Sequence, residues 1–226
     1  MFWNAEDGYY VLNENGYGAL VVIAILVLIL IDVFRGRNKD QRSSSKFPVT
    51  TITFTGVSIA LAYVLSFIRI WEMPWGGSIT LLSMFFVTFV GYLFGPGTGF
   101  AAAFVYGILQ FIQSGGSYML SPFQVCCDYF LAFTALGASG FFRNKKNGLI
   151  IGYIVAVLLR GVFHTIGGYL YWMDYMPENF PASLAVIYPV AYNYAYILPE
   201  ALITVIVILL PPVKKGLNRI KMMTVS

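Results

Sequence analysis

This sequence predicts an all-α membrane protein with seven crossings, on three observations. The 226 residues are 58% hydrophobic and only 11% charged, with a mean hydropathy of +0.74. A soluble domain needs more polar surface than that. Seven apolar segments approach the roughly 20 residues that a helix needs to cross a bilayer. The basic residues gather in short clusters between those segments, as the positive-inside rule expects.

The first segment, 17–35, contains Leu20 through Ile31 with nothing polar before Asp32, and reads as an anchor helix. A linker carrying Arg35, Arg37, Lys39, Arg42 and Lys46 separates it from six further segments, near 48–70, 79–95, 97–114, 121–142, 148–173 and 185–210. Gly95-Pro96-Gly97 is a turn signal joining two of them. Arg143, Lys145 and Lys146 follow the fifth segment, and Lys214, Lys215, Arg219 and Lys221 follow the seventh. With seven crossings the three clusters share the cytoplasmic face, which puts the N-terminus outside and the C-terminus inside. The opposite face takes Glu6, Asp7, Glu14, Glu72, Asp174 and Glu178. The chain therefore divides into an extension with anchor helix and basic linker (1–47), a six-helix core (48–212) and a basic cytoplasmic tail (213–226).

Several function classes drop out. The basic excess follows membrane topology, so nucleic acid is not an expected partner. Cys126 and Cys127 are adjacent in an apolar run, where they read as buried thiols rather than a disulfide or metal site. The acidic, aromatic start of the chain lacks the basic region of a cleavable signal peptide. Gly95-Pro-Gly-Thr-Gly99 has no lysine to cradle phosphates. With one histidine there is no metal or catalytic cluster, and no cofactor is called for. An intramembrane enzyme using Asp128 and His164 as acid and base has no nucleophile beside them.

The polar residues that remain converge. Arg160, His164, Gly168 and Trp172 recur every four residues, forming one helical stripe that lipid would reject. At a helical rise of about 1.5 Å per residue, Asp128, His164 and Asn193 lie about 10, 13 and 12 Å below the outer ends of their segments. Trp75, Tyr118, Tyr129, Trp172 and Tyr188 sit above that level, an aromatic cage for a flat cation. Arg160 and Glu200, at about 20 and 22 Å by the same count, suggest a structural ion pair beneath the site. Interleaved small residues in the second segment, Gly56/Ala60, Ser58/Ala62 and Ala62/Ser66, allow close helix approach, either inside the bundle or to a docking partner.

These residues carry a resemblance to a known family. Trp75-Gly-Gly-Ser-Ile-Thr80, Tyr106-Gly-Ile-Leu-Gln110, Asp128-Tyr129, His164-x-x-x-Gly168-x-x-x-Trp172, Tyr188 with Asn193, and Leu198-Pro-Glu200 together resemble the ThiT (YuaJ) family. Its members are thiamin-specific S components of energy-coupling factor (ECF) vitamin transporters. The resemblance spans roughly 50–212. It implies a six-helix S-component core in the bacterial cell membrane, preceded here by one extra helix. That core captures thiamin from outside and hands it to a transmembrane coupling subunit with two ATPase subunits. It further implies Asp128, Tyr129, Tyr118, His164, Gly168, Trp172, Tyr188, Asn193 and Trp75 as ligand-binding residues, and Ser58/Ala62 as the docking motif. Two alternatives remain open: an S component for the hydroxymethylpyrimidine precursor or another flat vitamin, and a membrane vitamin sensor.

Overall fold

The computed structural model describes residues 3–6, 9–12, 48–116 and 119–225. The expected anchor helix at 17–35, the basic linker behind it and Tyr118 lie outside the described residues. Near the N-terminus, β1 (Trp3–Glu6) and β2 (Tyr9–Leu12) pair antiparallel. The helical body comprises α1 (Val49–Ser66), α2 (Ser83–Phe94), α3 (Pro96–Gln113), α4 (Pro122–Phe142), α5 (Gly148–Tyr171), α6 (Tyr188–Leu209) and α7 (Pro211–Val225). Each of the six segments expected between 48 and 210 corresponds to one of α1–α6, α3 starting one residue before its expected bound.

The all-α expectation is corrected after α1. The segment expected to run to residue 70 stops being helical at Ser66, and β3 (Arg69–Glu72) pairs antiparallel with β4 (Ser78–Thr80). The connection Met73-Pro74-Trp75-Gly76-Gly77 explains the break. Gly76 and Gly77 take φ of 87° and 86°, a region in which side-chain-bearing residues are strained. Arg69 and Glu72 pair at 3.0 Å on the exposed surface.

Four described stretches are long and apolar enough to cross a membrane: Val49–Ser66, Pro122–Phe142, Gly148–Tyr171 and Ala182–Leu209. They make this a mostly helical membrane protein. α2, at 12 residues, rises only about 18 Å.

The body is held by unusually close backbone contact. A Cβ at Gly137 of α4 would stand 2.5 Å from the backbone of Phe100 in α3, and one at Gly99 would stand 2.7 Å from Gly91 of α2. Around this seam Phe85, Phe89, Tyr106, Leu136, Tyr153 and Ile197 form the buried core. α1 adds Ser58 and Ala62, 2% and 0% exposed. This corrects their assignment as a partner-docking motif: the pair lies with Thr51 and Ser66 on the buried face of α1 and packs the bundle. Gly56 and Ala60, at the same spacing, lie on the exposed face.

The expected basic tail is helical as well. Leu217 and Ile220 of α7 pack against the core, and Lys221 Nζ donates to the Tyr92 hydroxyl at 2.8 Å while lying over that ring.

Candidate functional site

A cavity of about 490 Å3 opens within the bundle. At one end lie the 73–77 connection and the turn after α5, and at the other Thr80, Ser83, Arg160 and Glu200. Two of its walls are stripes with four-residue spacing: Arg160, His164 and Gly168 on α5 with Trp172 just past its end, and Tyr188, Tyr192, Tyr196 and Glu200 on α6.

Asp128 enters from α4. Pro122 starts that helix, and the Ser121 hydroxyl caps it by accepting the Gln124 N–H. The helix then widens into a π-turn over Cys126–Leu131. Such widened turns are frequent at functional sites; this one turns Asp128 and Tyr129, adjacent in sequence, into one cavity.

The carboxylate is heavily engaged. Gln124 Nε2 donates to Oδ2 at 2.6 Å and Trp172 Nε1 donates to the same oxygen at 3.2 Å. His164 Nδ1 stands 3.4 Å from Oδ1. Arg160 Nε donates to His164 Nε2 at 3.3 Å. That ring nitrogen is therefore the acceptor, and the network assigns the proton to Nδ1, which donates to Asp128.

Asp128, His164 and Asn193 thus line one cavity, as do Tyr129, Gly168, Trp172, Tyr188 and Trp75. Their roles differ from one another. Asn193 Nδ2 donates to the carbonyls of His164 and Pro189, and its Oδ1 accepts from the Tyr196 hydroxyl at 3.0 Å. Its amide pins α5 to α6. Gly168 lets the two helices close, since a Cβ there would meet Pro189 at 2.8 Å.

The canopy is aromatic. Trp75, Tyr175 and Trp172 follow one another with ring centroids 5.3 and 5.2 Å apart. The Trp75 backbone N–H donates to the Tyr192 hydroxyl, which donates in turn to the Gly76 carbonyl.

The expected ion pair is corrected. Arg160 and Glu200 are both buried at the same end of the cavity, but no salt bridge joins them. Glu200 Oε2 accepts from the Thr80 N–H and hydroxyl at 2.9 and 2.8 Å, and Oε1 accepts from Ser83. Arg160 instead serves His164 and lies 4.4 Å over the Phe133 ring. Matching depth did bring the two residues to one level. Rotation of each helix then gave them different partners.

The sequence reading missed Gln124, Tyr175, Tyr192 and Tyr196. The last two were detectable, because Tyr188, Tyr192, Tyr196 and Glu200 repeat every four residues as clearly as the α5 stripe. Gln124 lies one helical turn before Asp128. Among the described residues no three His, Cys, Asp or Glu side chains cluster as metal ligands.

Fold and site together define a helical membrane protein built around an aromatic, acid-lined ligand cavity. The sequence profile of the thiamine transporter protein family (Thia_YuaJ) matches residues 52–219, and the chain belongs to that family. The chain is 30% identical over 152 residues to thiamine transporter ThiT of Bacillus subtilis (strain 168), an alignment covering 62% of this chain and 77% of that one. It is 29% identical over 122 residues to thiamine transporter ThiT of Lacticaseibacillus paracasei, covering 47% of this chain and 59% of the relative. Both relatives are named as transporters, not enzymes. A solved structure of ThiT from Listeria monocytogenes superposes with a TM-score of 0.55 at 24% identity, covering 72% of this chain and 94% of that one. This last likeness speaks for the fold.

Proposed function

We propose that this chain is the substrate-binding S component of an ECF transporter: it captures thiamin from outside a bacterial cell and delivers it for ATP-driven uptake. One observation carries the reading. Inside a cavity of thiamin-compatible size, the Asp128 carboxylate lies beneath a continuous run of aromatic rings. Thiamin combines a permanently charged thiazolium with an aminopyrimidine that bears hydrogen-bond donors. Asp128 balances the charge and accepts from the amine, while Trp172, Tyr175 and Trp75 offer ring faces to the cation. His164, Tyr129 and Tyr188 complete the wall, and Asn193 and Gly168 hold it together. In this reading the core is multi-pass, with the cavity opening outward and the basic ends of the helices in the cytoplasm. The exposed Gly56/Ala60 face of α1 is where a coupling subunit makes close contact.

The test is calorimetric titration of the purified full-length protein with thiamin, alongside the hydroxymethylpyrimidine precursor alone. Thiamin is expected to bind tightly. Asp128→Ala is expected to weaken binding on the order of a hundredfold, as removal of one partner from a buried charged contact does. Heat from the precursor with none from thiamin would transfer the site to the smaller ligand. In cells, thiamin uptake is expected to stop when the coupling ATPase subunits are deleted. Binding that persists with unaltered uptake would count against ECF delivery.

A further inference from the structure

An acidic side chain that is free to rotate must be ordered when ligand arrives, and that ordering opposes binding. The structure removes this freedom from Asp128 through a residue the functional reading has not used. Gln124 lies one turn earlier in α4 and is 1% exposed. Its amide orientation follows from its own contacts. The Leu120 N–H donates to Oε1 at 3.1 Å, which only the oxygen can accept, so the NH2 group faces Asp128 Oδ2 at 2.6 Å. Trp172 shares that oxygen and His164 contacts the other. An ionised carboxylate has about four acceptor positions. Among the described residues three are occupied, which leaves the fourth, on Oδ1. The approach from α5 is open because residue 167 is glycine: a Cβ there would stand 2.6 Å from Oδ1.

We propose that Gln124 is a positioning residue for ligand capture. It locks the Asp128 carboxylate into the notch at Gly167, so that the remaining Oδ1 acceptor position stays turned to the cavity for a cationic, hydrogen-bond-donating ligand. The proposal rests on the thiamin reading above and deepens it, because Gln124 acts through Asp128 and not on the ligand itself.

The experiment is a double-mutant cycle on the full-length protein, with thiamin as the titrant and ligand-free melting temperatures recorded for every variant. Gln124→Met preserves volume and removes the donor. It is expected to raise the thiamin Kd about tenfold or more, the range for a lost hydrogen bond to a charged group. In an Asp128→Ala background the same change is expected to alter Kd by less than about twofold. Gly167→Ala leaves Gln124 and Leu120 in place and presses a methyl group on Oδ1. It is expected to weaken thiamin by a similar factor, and it decides the matter if Gln124→Met misfolds or the double variant binds too weakly to measure. The proposal is overturned if Gln124→Met binds as the wild type does, if its loss is equal in both backgrounds, or if Gly167→Ala has no effect. Wild-type protein that ignores thiamin would instead sink the functional reading itself, a separate outcome.

Discussion

At the floor of the cavity two ionisable side chains sit at one level with different partners, and the difference has consequences. Glu200 is 1% exposed and holds a backbone N–H and two hydroxyls, tying β4 and the start of α2 to α6. Among the described residues Arg160 makes one hydrogen bond, to His164, and one ring contact. Were the two an ion pair, deleting either would strand the other and cost several kcal/mol. The observed partners predict asymmetry. Glu200→Leu leaves the Thr80 N–H and one hydroxyl without an acceptor, since the Thr80 and Ser83 hydroxyls stand 2.6 Å apart and can satisfy one donor between them. It should cost about 2 kcal/mol or more, each buried unpaired group costing about 1–3 kcal/mol. Arg160→Met leaves a single acceptor, His164 Nε2, without its donor. It is expected to cost about 1 kcal/mol, less than Glu200→Leu, and to reveal itself chiefly as weaker thiamin binding through a loosened His164. Melting of the two variants in detergent, with matched titrations, measures both effects. Equal destabilisation would restore the ion pair. Sequence reasoning reached the level of these residues because helical rise is constant. It missed their partners because the azimuth of each helix depends on packing that no single segment encodes.

Among the elements, the most legible were the long apolar ones. α5 and α6 lie within a few residues of their expected bounds, and the Gly95-Pro96 turn separates α2 from α3 where the sequence placed it. The π-turn around Asp128 and the β3–β4 hairpin were not legible. A π-turn leaves no periodic signature over six residues, and a short hairpin next to a helix continues its apolar run. The small residues split in a way that spacing alone does not predict. Gly137 is pressed against the backbone of Phe100, whereas nothing lies within 4 Å of a Cβ at Gly56. Gly137→Ala must push two helix backbones apart and is expected to cost about 1–3 kcal/mol, as overpacking does. Gly56→Ala is expected to be neutral or to stabilise by up to about 1 kcal/mol through helix propensity. Thermal melts of the two proteins, without ligand, separate the seam from the open face. A destabilised Gly56→Ala would mean that α1 has a contact on that side.

Across the whole molecule, every described residue that lines the cavity falls between Arg69 and Glu200. The family match begins at residue 52 and ends at 219. The described lining therefore comes from α2 to α6 and the β3–β4 hairpin: α4 and α5 supply the acid and its donors, α6 the tyrosine stripe, and the β3–β4 connection the outer aromatic. The sequence's division at residue 47 was drawn from the basic linker, which interrupts the apolar pattern just before α1. The count of crossings was less legible. A 12-residue α2 still packs as a full member of the bundle, so membership in the body does not require a complete span. A chain lacking residues 1–47 is consequently expected to insert, fold and bind thiamin with a Kd within about threefold of the full-length protein, a difference of under 1 kcal/mol. Titration of both proteins in the same detergent gives the comparison. A large loss on truncation, with the melting temperature unchanged, would assign the N-terminal segment a direct part in the site. A collapse of both stability and binding would make it a structural member of the bundle instead.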